Sequence, residues 1–254
     1  MLTRMTDQLD VTTTAHRAKA PIGSLGGQWM TQDAEEELTS ALGLEGWQLY
    51  FLARHAPLGD VDPDVVTAAA YFFPPLYLRE QWTIARQRYT PGQALAHYLS
   101  LCHEWGRSEL DDFSGADRLS ALAERVIEGA DVAGLPLFAG WRALDVPTDR
   151  GGRLAHAMQV MREYHGAVHG VAVVGSGMRP LMAVLANQGG ESNAEAYGWS
   201  RPFPTVTDDD RRERAEVEDR TDDLAAHAYA SLPADERVEL LDLLAAAHTH
   251  VFGD

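Results

Sequence analysis

Residues 153–174, RLAHAMQVMREYHGAVHGVAVV, run for about six helical turns without a proline. Projected at 100° per residue, Leu154, Met158, Met161, His165, Val168 and Ala172 fall on one stripe. Arg162 and His169 sit at its edge, and His156 and Glu163 point the opposite way. A segment this long and this apolar predicts a helix from about Arg153 to Val174.

Start and stop signals divide the remainder into further helices. Asp62 with Pro63, Thr90 with Pro91, Thr207 with three aspartates, and Pro233 each mark a helix start. Leu95, Tyr98, Leu99, Cys102 and Trp105 form one helical face, and Leu119, Leu122, Val126 and Ile127 another. MRPLMAVLANQGG reads as a further helix, and residues 188–206 as a polar, proline-broken loop. Residues 1–28, rich in Thr, Gly and Ala without a clear period, read as an N-terminal arm. The punctuated stretch LPLFAGWRALDVPTDRGG marks a linker over 134–152, between an N-terminal helical lobe (29–133) and a C-terminal one (153–254). ALGLEGWQLYFLARHAPLG lines up loosely with VVGSGMRPLMAVLANQGG, as two related helix-turn-helix units would. The expected fold is mainly α, two packed helix-turn-helix lobes with a pocket between or within them.

Charge narrows the partners. With 38 acidic and 21 basic residues, the formal charge of -17 repels phosphate backbones and anionic membranes. The one cysteine, Cys102, excludes an internal disulfide and a thiolate-clustered zinc site. No run of about 18 apolar residues occurs, so a soluble, cytoplasmic protein without a membrane partner is expected. The terminal helices offer the surface for a homodimer.

LARHAPLGDV, VVTAAAYFF with Pro75, the stretch from His156 to His169, GWS at 198–200 and TDDLA at 221–225 together resemble a family of actinobacterial proteins described as helix-turn-helix. Arg54, Tyr71, Phe73, His156, Arg162, Glu163, Gly166 and His169 fit its blocks, whereas His55, Phe72 and His165 depart from them. The resemblance implies winged-helix-like ancestry. Where the family has a helix and wing-like turn, this chain has RPFPTV, and from Asp208 onward 14 acids face 5 bases. The element that would approach DNA is therefore expected to be missing, which weighs against a nucleic-acid partner.

Two readings of the histidines follow. In one, His165 and His169 are core-edge residues satisfied by their neighbours. In the other, they form the polar corner of an apolar pocket that handles a small molecule, either a binding module or a cofactor-independent acid/base enzyme of specialised metabolism. There His169 or His165 would move a proton and Arg162 would hold a carboxylate or phosphate, with Tyr71, Phe72 and Trp199 shaping the wall. A DNA-binding regulator and a histidine-ligated metal or haem protein are the alternatives. Against the metal, the pair lacks the inserted Glu of HExxH and a third ligand, so neither a metal nor another cofactor is expected.

Overall fold

The structure, a computed structural model, describes residues 9–30 and 33–253. It is helical throughout, and no strand occurs among the described residues. In chain order the helices are α1 (Val11–Gly27), α2 (Asp33–Ala41), α3 (Gln48–Arg54), α4 (Pro63–Ala69), α5 (Pro75–Arg86), α6 (Pro91–Glu109), α7 (Ala116–Gly129), α8 (Pro136–Arg142), α9 (Arg150–Ser176), α10 (Pro180–Leu185), α11 (Gly190–Ala196), α12 (Asp208–Tyr229) and α13 (Ala234–Phe252). The expected start signals act as caps. Asp62 accepts from the Asp64 amide, while Thr90 with Gln93 and Thr207 with Asp210 close reciprocal capping boxes.

The predicted long helix is α9, and it is the axis of the fold. Helices α1, α6, α7 and α12 pack around it. Leu154 and Met158 are buried, and so are His156, Gln159 and Glu163 on the other side. Over its N-terminal half the helix is covered on all sides, which is why the stripe read from the sequence describes only part of its buried surface.

Three expectations are corrected here. The N-terminal arm, of which residues 1–8 lie outside the described residues, becomes α1 from Val11 onward. Asp10 caps it through the Thr13 amide, and Ala15, Ala18, Ile22 and Leu25 are buried in the main core. Small residues carry that face, so its period is faint in the sequence. The linker over 134–152 contains α8, which sends Leu137, Phe138 and Trp141 into the same core, and the Trp141 indole donates to the Arg54 carbonyl at 2.9 Å. The core is continuous from Ala15 to Ala247. The loop expected over 188–206 also holds the short helix α11.

Glycine sets how closely α6 meets α9. A Cβ on Gly106 would lie 2.3 Å from the Gly151 carbonyl oxygen, and one on Gly151 would lie 2.2 Å from the Gly106 oxygen. Beside this crossing, Asp149 caps α9 through the Gly152 amide and takes both Nε and Nη2 of Arg107. Gly106→Ala forces the two backbones apart and should cost about 1–3 kcal/mol, read as a lowered urea midpoint. An unchanged midpoint would show that the crossing has slack.

Candidate functional site

The C-terminal half of α9 borders a cavity of about 1360 Å³, whose other walls come from α1, α3, the turn between α4 and α5, the start of α8, α10, α11, α12 and the end of α13. The turn matters most. After α4 ends, Tyr71, Phe72 and Phe73 lie in a non-helical stretch, so their rings diverge. Phe73 enters the core against Phe51, at 4.7 Å between ring centroids. Tyr71 lies against Gly170 and donates its hydroxyl to the Gly166 carbonyl at 2.7 Å. Burial pushes its pKa up to about 12, so it remains a donor. Phe72 stacks on His169, with centroids 5.5 Å apart.

Arg162, His165, His169, Tyr71 and Phe72 all border this cavity. Trp199 does not. Its indole donates to the Phe72 carbonyl at 2.9 Å, so it holds the aromatic turn from behind. No sequence signal separates those two roles for a tryptophan in a loop.

The two histidines are already engaged. His165 is buried and its Nε2 meets the Tyr229 hydroxyl at 2.9 Å, while Nδ1 is enclosed without a protein partner. His169 Nδ1 lies 2.9 Å from Thr221 Oγ1, and that hydroxyl donates its hydrogen to the Val217 carbonyl at 2.7 Å. The imidazole must then be the donor at Nδ1, which leaves Nε2 to accept from Arg214 Nη2 at 3.3 Å. Burial lowers both histidines to about 4, and for His169 the neighbouring Arg214 lowers it further. Both are neutral at pH 7. The pair does not converge on one point, and among the described residues no group of three or more His, Cys, Asp or Glu is arranged to hold a metal ion.

Sequence reasoning missed the ionic frame around these residues. Glu163 takes Arg54 Nε on Oε1 and Nη2 on Oε2, both at 2.8 Å, and the Gln159 amide at 2.8 Å. Burial would push the Glu163 carboxyl up, but Arg54 outweighs it and holds the group below the usual carboxylate range. Arg162 touches the same carboxylate only at 3.4 Å. A second cluster lies beyond His169, where Lys19 bonds Glu218 at 2.8 Å and Asp222 at 2.9 Å, and Arg214 also pairs with Glu218. Arg54 and Glu163 are 109 positions apart, and Lys19 and Glu218 are 199 apart. Local spacing carries no trace of such pairs.

Cys102 is buried, and burial pushes its thiol up, so it is not a nucleophile beside His103. His103 turns to His156 instead, at 3.2 Å.

Fold and site together define an all-helical protein with a half-open, partly cationic cavity beside its central helix. A family model described as a helix-turn-helix family matches residues 13–253, and the chain belongs to that family. No curated protein and no solved structure matches it. No helix among the described residues is long and apolar enough to cross a membrane.

The buried histidines make stability depend on pH with a definite sign. His156, His165 and His169 are lowered from 6.5 to about 4 and His55 to about 3, all by burial first. Below pH 6.5 the unfolded chain takes up protons that the folded chain refuses, so stability falls with decreasing pH until about 4, where three of the four also charge when folded. Each such group contributes on the order of 1 kcal/mol per pH unit in that window. The pairing of Glu218, held near 2 by Lys19 and Arg214 against burial, is lost only below about 4.5. Thermal unfolding should therefore show Tm falling between pH 6.5 and 5, before the carboxylates titrate. A flat Tm over that interval would contradict the burial of these imidazoles.

Proposed function

We propose that this protein binds a small organic molecule in the cavity beside α9. The observation that supports this most is a cavity above the usual size for drug-like ligands, with apolar walls and a guanidinium, Arg162, whose polar contact among the described residues is a long one to a carboxylate that Arg54 already holds. Arg162 is the anchor for the ligand's polar end. Tyr71 and Phe72 form the wall, and His169 supplies a neutral hydrogen-bonding edge.

Binding suits the histidines better than proton transfer. A group with a pKa near 4 is protonated in roughly one molecule in a thousand at pH 7, and it is a weak base there. The enzyme form of this reading would need His169 to leave Thr221 and Arg214 before it reacted.

A DNA-binding regulator is the second reading, favoured by the family's description. The charge of -17 and the acidic start of α12, Asp208 to Asp210, weigh against it.

Gly166 separates the two. Nothing lies within 4 Å of where its Cβ would stand, so Gly166→Leu fits the helix and projects into the cavity. The wild-type chain should bind the fluorescent amphiphile 1-anilinonaphthalene-8-sulfonate at one saturable site, and Gly166→Leu should lower that affinity at least about tenfold, a loss of about 1.4 kcal/mol, while its Tm is kept. Equal dye binding by both would remove the cavity from the account. Salt-sensitive binding to duplex DNA at physiological ionic strength would favour the regulator.

A further inference from the structure

The charges along the cavity are not evenly distributed. Arg162 and His169 lie two turns apart on α9, a rise of about 10 Å. At the Arg162 end, two guanidinium groups, Arg54 and Arg162, face one carboxylate, Glu163. At the His169 end, Lys19 and Arg214 are matched by Glu218 and Asp222, and the imidazole between them is neutral. Counted over these named groups, one end carries a single surplus positive charge and the other carries none.

Between the ends the floor is bare. Gly166 on α9 and the exposed Gly23 on α1, at the cavity's open side, both border it, and neither has a neighbouring atom within 4 Å of its Cβ position. Helix α1 reaches this wall because Gly26 lets its backbone approach the Met158 carbonyl, where a Cβ would lie 2.6 Å from the oxygen. The same approach brings Gly27 against the Arg162 guanidinium, with Nε 3.3 Å from its Cβ position. Contact with α1 on one side and Glu163 on the other limits where the fork can point.

We propose that the ligand is an elongated monoanion: one carboxylate-like group seated on Arg162, an apolar body over the Gly23 and Gly166 floor, and an uncharged end at His169 and Arg214. This rests on the cavity being a binding site and adds the ligand's charge, its length and the end at which the charge sits. A second negative charge would meet a pole already neutral, and Glu218 would repel it. An ammonium group would meet the surplus positive end. A phosphate monoester, close to two charges at neutral pH, would exceed the single surplus. Discrimination is by charge count and position, since the apolar body alone is held without specificity.

The test is a calorimetric titration of the full chain at pH 7.5 with decanoate, decanol, decylamine, decanedioate and decyl phosphate. Decanoate should bind tightest. Decanol and decanedioate should each bind on the order of tenfold more weakly or worse, and decylamine most weakly. Arg162→Leu should reduce decanoate affinity roughly tenfold to a hundredfold and bring it level with decanol, while Arg162→Lys should restore part of the preference. Binding of decanoate and decanol with equal affinity, blocked by Gly166→Leu, would overturn the monoanion assignment and leave the cavity standing. A preference for decyl phosphate or decanedioate would overturn the single-charge count. Failure of all five probes to bind, or binding that Gly166→Leu does not touch, would overturn the cavity reading itself.

Discussion

Everything in this fold depends on α9 being enclosed. A helix of 27 residues covered by α1, α6, α7 and α12 must satisfy inside the protein every polar group it carries. Glu163 is satisfied by Arg54 and Gln159 and His169 by Thr221 and Arg214, while His165 bonds Tyr229 through Nε2 and leaves Nδ1 enclosed without a protein partner. These contacts tie α9 to α3 and α12 at fixed registers. The close crossings on α6 and α1, made by Gly106 and Gly26, then bring two further helices to backbone contact. Enclosure is tight along the N-terminal half. It is incomplete toward the C-terminal half, where Val171 and Val174 are exposed and glycines leave the cavity open.

Electrostatics sharpens the contrast between surface and interior. The chain as a whole is strongly acidic, yet four of the side chains that border the cavity are Lys or Arg, against two glutamates. Three of the four bases are committed to carboxylates at 2.8 Å or closer, and Arg162 is the exception. An acidic exterior around a cationic cavity is the charge distribution that the proposed binding of a small anion, and not of a polyanion, would use. The surplus charge, Arg162, is half-buried and keeps contact with solvent, and Glu163 already offsets one of the two guanidiniums, so the charge does not depend on an anion for its stabilisation.

Much of the helical plan was legible in the sequence because caps are local. Asp62, Thr90, Thr207 and Pro233 each act within three residues, and each marks a real helix start. The long apolar run of α9 was legible for the same reason. Helix α1 was not, because alanines and glycines pack it, and the glycines near 151 read as turn residues when their role is to let two backbones meet. At the site, the residues of α9 were read as types at helical spacing, and the aromatic turn as a run of three aromatics beside Pro74. Their partners Arg54, Lys19 and Arg214 were not, because a pairing across the fold leaves no periodic trace. Trp199 shows the limit from the other side: its hydrogen bond to the Phe72 backbone makes it a support where a wall residue was expected. A cavity is an absence of side chains, and glycines such as Gly23 and Gly166 carry no sign in the sequence that they border one.

The most direct measurement is a crystal structure of the full chain grown with decanoate. The account predicts continuous density over Gly166, with the carboxylate within hydrogen-bonding distance of the Arg162 guanidinium and the alkyl end directed toward His169. A cavity filled by repacked Tyr71 and Phe72, or a carboxylate seated anywhere other than Arg162, would contradict it.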